Sequence, residues 1–142
     1  MLNKDFVFRK IKLIQEDLAR LESFGKFALE ESVKNTLEYL ATERMLEKIV
    51  TRAIDINKHI IANLGTGEES VKTYEETFFV LAKLSVYSLE FAKQIAPSAG
   101  LRNILVHEYD EVEIGTIYGS REEALTQYAQ YCNLILEFLK KN

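Results

Sequence analysis

The sequence predicts an all-α fold, an up-and-down bundle of four to five helices in which the second helix is long. Apolar residues recur at intervals of three and four along most of the 142 residues, as they do on the buried face of an amphipathic helix. Alternating apolar and polar runs, which would indicate strands, are too few to build a sheet. With 47% hydrophobic residues, we expect one domain, 1–142, that is large enough to bury a core.

The first two helices follow from this spacing. The first is expected to end near Gly25. Its apolar stripe consists of Val7, Ile11, Ile14, Leu18 and Leu21. The second is expected over residues 27–64, because the Gly65-Thr66-Gly67 segment would stop it there. Its apolar face consists of Leu46, Ile49, Ala53, Ile56 and Ile60.

A third helix is expected to begin where Thr73 and Glu76 have the spacing of a capping box. Its apolar face consists of Val80, Leu84, Tyr87, Phe91 and Ile95. Pro97 is expected to end it, because a proline cannot continue the hydrogen-bond ladder of a helix. A short helix is then expected over residues 101–107, followed by an acidic connector that contains Gly115 and Gly119.

The last helix is expected to begin at a second capping box, formed by Ser120 and Glu123. Its apolar face consists of Leu125, Tyr128, Cys132, Ile135 and Leu139. Because Cys132 is the only cysteine, it cannot form an intrachain disulfide or a thiolate metal cluster. We therefore expect a buried thiol that packs as a small apolar side chain.

Composition excludes several classes of function. A net charge of −4 argues against a generally basic nucleic-acid binder, and DNA is not expected as a partner, although a local basic groove remains compatible with this charge. The amino terminus lacks a signal-peptide core and no apolar run is long enough to span a bilayer, so we expect a cytoplasmic protein without membrane contact. No glycine-rich phosphate loop and no His/Cys cluster with metal spacing is present, so neither a metal nor a cofactor is expected.

The segment after Pro97 combines three chemically useful side chains: Arg102, His107 and Tyr109. A guanidinium complements the charge that develops on a phosphoryl group, and an imidazole changes protonation near neutral pH. Metal-independent RNA cleavage needs a base for the 2′-hydroxyl, an acid for the departing 5′-oxygen and a cation for the phosphorane. The segment therefore suits an RNA-cleaving site, whose product would end in a 2′,3′-cyclic phosphate.

A second group of polar residues shares one stripe of the long helix and consists of Arg44, Lys48, Arg52, Asp55 and His59. Asp55 and His59 lie one turn apart and could hydrogen-bond to each other. One interpretation is a solvated face with ordinary ion pairs. The other is that this face borders the cleft beside Arg102 and His107, where it adds positive charge and an Asp55–His59 pair that supports the site.

The pattern Arg102-Asn103-x-x-x-His107-x-Tyr109 resembles the signature of HEPN-domain ribonucleases, and specifically of the HepT-like toxins. The resemblance extends beyond this motif. Residues 43–49 and 53–62 resemble the long second helix of that family, and residues 74–81 resemble the start of its third helix. The resemblance thus covers roughly residues 44–139, and it implies a HEPN-like helical domain.

The resemblance also implies roles for these residues. In two-fold HEPN dimers, two Arg-His pairs meet in one cleft; here Arg102 would stabilise the phosphoryl charge and His107 would act as base or acid. Asn103 would orient backbone or phosphate. Tyr109 would be the acceptor of AMP groups delivered by a cognate minimal nucleotidyltransferase antitoxin of the MntA type, in a type VII-like toxin–antitoxin pair. The implied substrate is RNA, with tRNA as one candidate.

Two alternatives belong to other classes of function. The chain could be a non-catalytic HEPN scaffold that binds a nucleotide or docks a nucleotidyltransferase, or a plain four-helix interaction module. The presence of both Arg102 and His107 favours the enzyme, because a scaffold would need neither.

Overall fold

The computed structural model of the protein describes residues 1–67, 71–107 and 113–142, apart from the side chains of Val106 and His107. Six α-helices and one 3₁₀ turn are found in these residues, and no strand occurs among them. The elements are α1 (Lys4–Ser23), a 3₁₀ turn (Glu31–Val33), α2 (Leu37–Leu64), α3 (Tyr74–Lys83), α4 (Leu89–Ile95), α5 (Ser98–His107) and α6 (Ile114–Lys141). The predicted all-α fold is confirmed.

The long helix α2 lies at the centre of the fold. It packs against α1, α3, α5 and α6, and α1 also contacts α6. The apolar stripe predicted for α1 and the apolar face predicted for α2 are both buried. Cys132 is fully buried in α6, as expected from its place on the apolar face. No helix within the described part of the chain is both long enough and apolar enough to cross a membrane.

The start of α2 differs from the prediction. The helix begins at Leu37, and residues 27–36 instead form a connecting segment that contains the 3₁₀ turn. Thr36 sets this boundary, because its hydroxyl oxygen accepts a hydrogen bond from the backbone N–H of Tyr39 at 3.2 Å. The ring of Phe27 packs edge-on against Tyr39 and Tyr118, at centroid distances of 5.4 and 5.6 Å. An apolar residue that appeared to extend the helix therefore anchors the connection instead.

The predicted third helix is in fact two short helices. α3 ends at Lys83, Ser85 adopts a left-handed φ of 64°, and Ser88 caps α4 by accepting a hydrogen bond from the N–H of Phe91 at 3.1 Å. The apolar spacing continues through the break, because both helices turn toward the same core. At the start of α3, Thr73 caps Glu76 as predicted, whereas the carboxylate of Glu76 accepts from the N–H of Lys72 rather than from that of Thr73.

The start predicted for the last helix was wrong. α6 begins at Ile114, so Gly115, Gly119 and Ser120 lie within the helix and Ser120 is not its cap. The buried stripe runs from Ile114 through Ile117 to Ala124, but the intervening core position is occupied by Arg121. The two glycines and the capping-box spacing of Ser120 and Glu123 favour a connector before Ser120, and the charged residue at a core position hides the apolar stripe that continues through it.

Candidate active site

The Arg-His motif predicted from the sequence lies in α5. The start of this helix is fixed to its surroundings by Ser98, whose hydroxyl donates to the carbonyl oxygen of Ile95 at 2.6 Å and lies 2.5 Å from the hydroxyl of Tyr128 in α6. Ala99 and Leu105 are buried, and α5 packs against α2 and α3. Helix α5 therefore has a defined position against α2, from which it presents Arg102.

The side chain of Arg102 is partly buried and held from two directions. Its Nε donates a hydrogen bond to the hydroxyl oxygen of Thr51 in α2, at 3.3 Å. Its guanidinium carbon lies 5.3 Å from the ring centroid of Tyr74, the first residue of α3, within the range of a cation–π interaction. Arg102 thus joins α5 to both neighbouring helices. The terminal nitrogens of its guanidinium form no hydrogen bond with another described residue and can bind an anion.

A second cation approaches the same aromatic ring. The Nζ of Lys58 in α2 lies 4.8 Å from the centroid of Tyr74. Lys58 is exposed, and Tyr74 is half-buried. Because Nζ of Lys58 and the guanidinium carbon of Arg102 are 4.8 and 5.3 Å from one point, they are separated by at most about 10 Å. Two positive charges are therefore grouped around one ring on the α2–α3–α5 face.

The other residues of the predicted motif are described less completely. Asn103 is exposed, beside Arg102 on α5. His107 is the last residue of α5, and its side chain lies outside the described part of the molecule. Tyr109 lies outside the described residues. The roles assigned to these three residues therefore remain predictions.

Asp55 and His59 do not form the hydrogen bond that their helical spacing would allow. Asp55 instead accepts a hydrogen bond from Nζ of Lys10 in α1, at 3.1 Å. The Nε2 of His59 accepts from the backbone N–H of Asn3 at 3.0 Å, and the His59 ring stacks on Phe6 at a centroid distance of 4.8 Å. Both side chains are thus committed to α1, because the helix α1 packs over the side of α2 on which they lie.

The rest of that polar stripe also has structural partners. Arg52 and Lys48 contact the buried carboxylate of Asp17 in α1, and Arg44 pairs with Glu47 along α2. The interpretation as ordinary ion pairs is therefore closer to the structure, although several of these pairs are between helices rather than on a solvated face.

A partly buried carboxyl group, Glu43, also lies near α5. It lines a groove together with Leu40, Arg44, Glu47 and Leu105. Burial raises the pKa of Glu43, and the nearby charge of Lys34 partly offsets this effect. Glu43 is therefore a carboxyl group with a raised pKa in a groove that Leu105 of α5 also lines.

Sequence reasoning missed three residues of the site: Thr51, Lys58 and Tyr74. Thr51 and Lys58 are seven residues apart on α2, so they share one face of the helix, which is a signal that could have been found. Their contact with Arg102 and Tyr74 depends on how three helices pack together, and the spacing along one helix does not predict it.

The chain is similar in sequence to known ribonucleases. The family model described as Ribonuclease HepT-like matches residues 14–135. The tRNA nuclease HepT of Aphanizomenon flos-aquae (strain 2012/KM1/D3) is 39% identical over 130 residues, which cover 92% of this chain and 87% of that protein.

Two solved structures have a similar fold. The cytosolic protein YutE of Bacillus subtilis superposes with a TM-score of 0.81 at 14% identity, covering 99% of this chain and 92% of YutE. A tri-AMPylated HEPN toxin of Shewanella oneidensis, in complex with an MNT antitoxin, superposes with a TM-score of 0.77 at 20% identity, covering 94% of this chain and 98% of that toxin.

Proposed function

This chain belongs to the HepT-like ribonuclease family, and on that basis we propose that it is the toxin ribonuclease of a toxin–antitoxin pair. The observation that carries the proposal is the placement of Arg102, whose guanidinium is held by Thr51 and Tyr74 while its terminal nitrogens can bind a phosphate. The substrate is RNA, and the name of the Aphanizomenon relative, a tRNA nuclease, supports tRNA as the first candidate.

In the proposed reaction, Arg102 binds the scissile phosphate and stabilises the charge of the phosphorane. His107 takes the proton of the 2′-hydroxyl or gives a proton to the departing 5′-oxygen, so that a 2′,3′-cyclic phosphate remains. One chain supplies one such histidine, because the other, His59, is held by Asn3 and by the ring of Phe6 in α1. We therefore propose a homodimer in which two Arg102–His107 pairs share one cleft.

The direct test is RNA cleavage in buffer that contains a chelator of divalent metals. We expect Arg102→Ala and His107→Ala each to lower the cleavage rate by about 100-fold or more, because each removes one of the groups that act in the transition state. Thermal unfolding should stay near wild type. A matched control is Lys12→Ala, which removes a cation from the exposed face of α1. Cleavage that depends on added divalent metal would contradict the mechanism.

We also propose that a nucleotidyltransferase antitoxin silences the enzyme by attaching AMP to Tyr109. The complex of a tri-AMPylated HEPN toxin with an MNT antitoxin supports this for a protein of the same fold. A bulky phosphodiester anion two residues beyond His107 would block the RNA and compete for Arg102.

The test of this silencing is incubation with the cognate nucleotidyltransferase, ATP and magnesium, followed by peptide mass spectrometry. We expect AMP on Tyr109 and loss of cleavage, whereas Tyr109→Phe should still cleave RNA and should escape inactivation. Modification of Tyr74 or Tyr118 instead, or inactivation of Tyr109→Phe, would show that the assignment is wrong.

A further inference from the structure

We infer that Lys58, Tyr74 and Arg102 form one RNA-binding surface, in which Tyr74 positions the guanidinium of Arg102 and Lys58 binds a phosphate next to the scissile one. This inference rests on the proposed ribonuclease function, and it extends the site to residues of α2 and α3 outside the Arg-His motif.

The first support is that neither cation has a carboxylate partner among the residues that the structure describes. Within the described part of the chain, no carboxylate lies within 4.0 Å of Lys58 or Arg102, whereas nine other lysine and arginine side chains form such pairs. The chain carries a net charge of −4, and Lys58 and Arg102 nevertheless place two positive charges beside one aromatic ring. Such a surface attracts a phosphate backbone, which lysine and arginine contact without reading the bases.

The second support is that the position of Tyr74 is fixed by a buried chain of hydrogen bonds. The hydroxyl of Thr77 donates to the carbonyl oxygen of Tyr74 at 2.6 Å and accepts from the Asn57 amide at 3.0 Å. The Asn57 carbonyl oxygen accepts from the hydroxyl of Tyr131 in α6 at 2.7 Å. Asn57, Thr77 and Tyr131 are all fully buried, so the start of α3 is tied to α2 and α6 through the core.

The third support is the way in which Arg102 is held. The contacts with Thr51 and with the Tyr74 ring restrict a long side chain that would otherwise lose conformational entropy on binding RNA. The ring of Tyr74 contacts Arg102 from α3 and needs no hydroxyl for this contact, because the attraction is to the face of the aromatic ring. Tyr74 is thus a positioning residue, and we expect a phenylalanine at this position to hold the guanidinium equally well.

Lys58 has a different role. At most about 10 Å from the guanidinium of Arg102, its ammonium can reach a neighbouring phosphate of the same strand. Its contribution is to the binding of RNA, in the ground state and in the transition state alike. Removing its charge should therefore change KM and the salt dependence of binding, and it should leave kcat nearly unchanged.

The experiment measures steady-state cleavage of bulk tRNA by the full chain, and measures tRNA binding in a His107→Ala background over a range of salt concentrations. We expect Lys58→Gln to raise KM by about 5- to 10-fold, to change kcat by less than about two-fold, and to reduce the slope of log K against log salt by about 1. The matched control, Lys12→Gln, changes the net charge of the chain by the same amount as Lys58→Gln. It should leave KM, kcat and the salt slope at wild-type values. If the two lysine variants behave alike, Lys58 does not contact RNA.

For Tyr74 the informative pair is leucine and phenylalanine. We expect Tyr74→Leu to lower kcat by about 10-fold or more, because the guanidinium loses its position in the transition state, while Tyr74→Phe retains at least half of the wild-type kcat. A folded Tyr74→Leu protein with wild-type kcat, or a Tyr74→Phe protein as slow as Tyr74→Leu, would overturn the positioning role. Absence of cleavage by the wild-type chain would instead overturn the proposed function, so the two failures are distinguishable.

Discussion

The carboxylate of Asp17 in α1 is 1% exposed, and three cations converge on it. Arg52, Arg20 and Lys48 approach its oxygens at 2.5, 3.1 and 3.8 Å. Arg52 and Lys48 come from α2, so this cluster joins the first two helices. The Asp17 carboxylate can be buried here because these cations pair with it and the two arginines donate hydrogen bonds to it.

Replacement of Asp17 should be costly because it leaves the arginines without their shared anion. We expect Asp17→Ala to lower the free energy of unfolding by about 2–4 kcal/mol. This loss is toward the lower part of the range for broken buried ion pairs, because the side chains of Lys48 and Arg20 can turn toward water. The neighbouring exposed Glu16→Ala should change it by less than about 0.5 kcal/mol. Urea unfolding measures both, and equal effects of the two variants would contradict the structural role of Asp17.

At the same scale, the chemistry of the site could be predicted only in part. Arg102 and its motif were recognised because their types and spacing lie within one short segment. Thr51, Lys58 and Tyr74 were missed because their role depends on contacts between three helices. Helical spacing makes an Asp55–His59 pair possible and leaves open whether it forms, whereas the packing of α1 gives each residue another partner.

At the scale of the helices, Arg121 links the start of α6 to the end of α1. The residue is 3% exposed, and its guanidinium donates to the carbonyl oxygen of Leu21 at 2.8 Å. Leu21 belongs to the last turn of α1, where carbonyl groups lack partners within the helix. A second guanidinium nitrogen pairs with Glu122 at 2.5 Å. Arg121 thus closes the carboxyl end of one helix from a core position of another.

We expect Arg121→Met to destabilise the protein by about 1–3 kcal/mol, because a buried carbonyl group loses its donor. The loss should be local as well as global, with faster amide exchange in the last turn of α1 than in its first turns. Lys140→Met, an exposed change in the same helix, is the control. Unchanged exchange at the end of α1 in the Arg121 variant would contradict the capping role.

The boundaries of the helices were predicted well where a cap coincides with the end of an apolar stripe. Gly25, with a left-handed φ of 67°, follows the end of α1, and Thr73 caps α3. The boundaries were wrong where the core contains an unexpected residue. Arg121 concealed the first turns of α6, and the continuous apolar spacing across Ser85 concealed the break between α3 and α4.

On the scale of the whole molecule, burial of phenols and of the thiol makes the fold sensitive to alkali. Burial raises the pKa of Tyr39 and of Cys132 to about 12, from ordinary values of 10.0 and 9.0. It also raises the pKa of Tyr87, Tyr128 and Tyr131 well above 10.0. Above these ordinary values the unfolded chain loses its protons first, so the folded state binds more protons than the unfolded state.

The free energy of unfolding should therefore decrease as the pH rises from about 9 toward 12, while below about pH 9 these groups should add no pH dependence. Urea unfolding at a series of alkaline pH values measures this change, and tyrosinate absorbance reports which phenols have ionised. Stability that stays constant over this interval would contradict the burial of these groups. Tyr131→Phe should flatten part of the decrease, although it also removes the hydrogen bond to Asn57.

The buried thiol of Cys132 also determines which labelling experiments the folded protein permits. The chain has no other cysteine, and a side chain of zero exposure is closed to maleimides while the fold is intact. A cysteine introduced on the surface, for example at Lys12 of α1, would thus be the sole reactive group without any need to replace Cys132. In the proposed homodimer, spin labels at that position would give one distance between the two subunits, so pulsed dipolar spectroscopy would test how they are arranged.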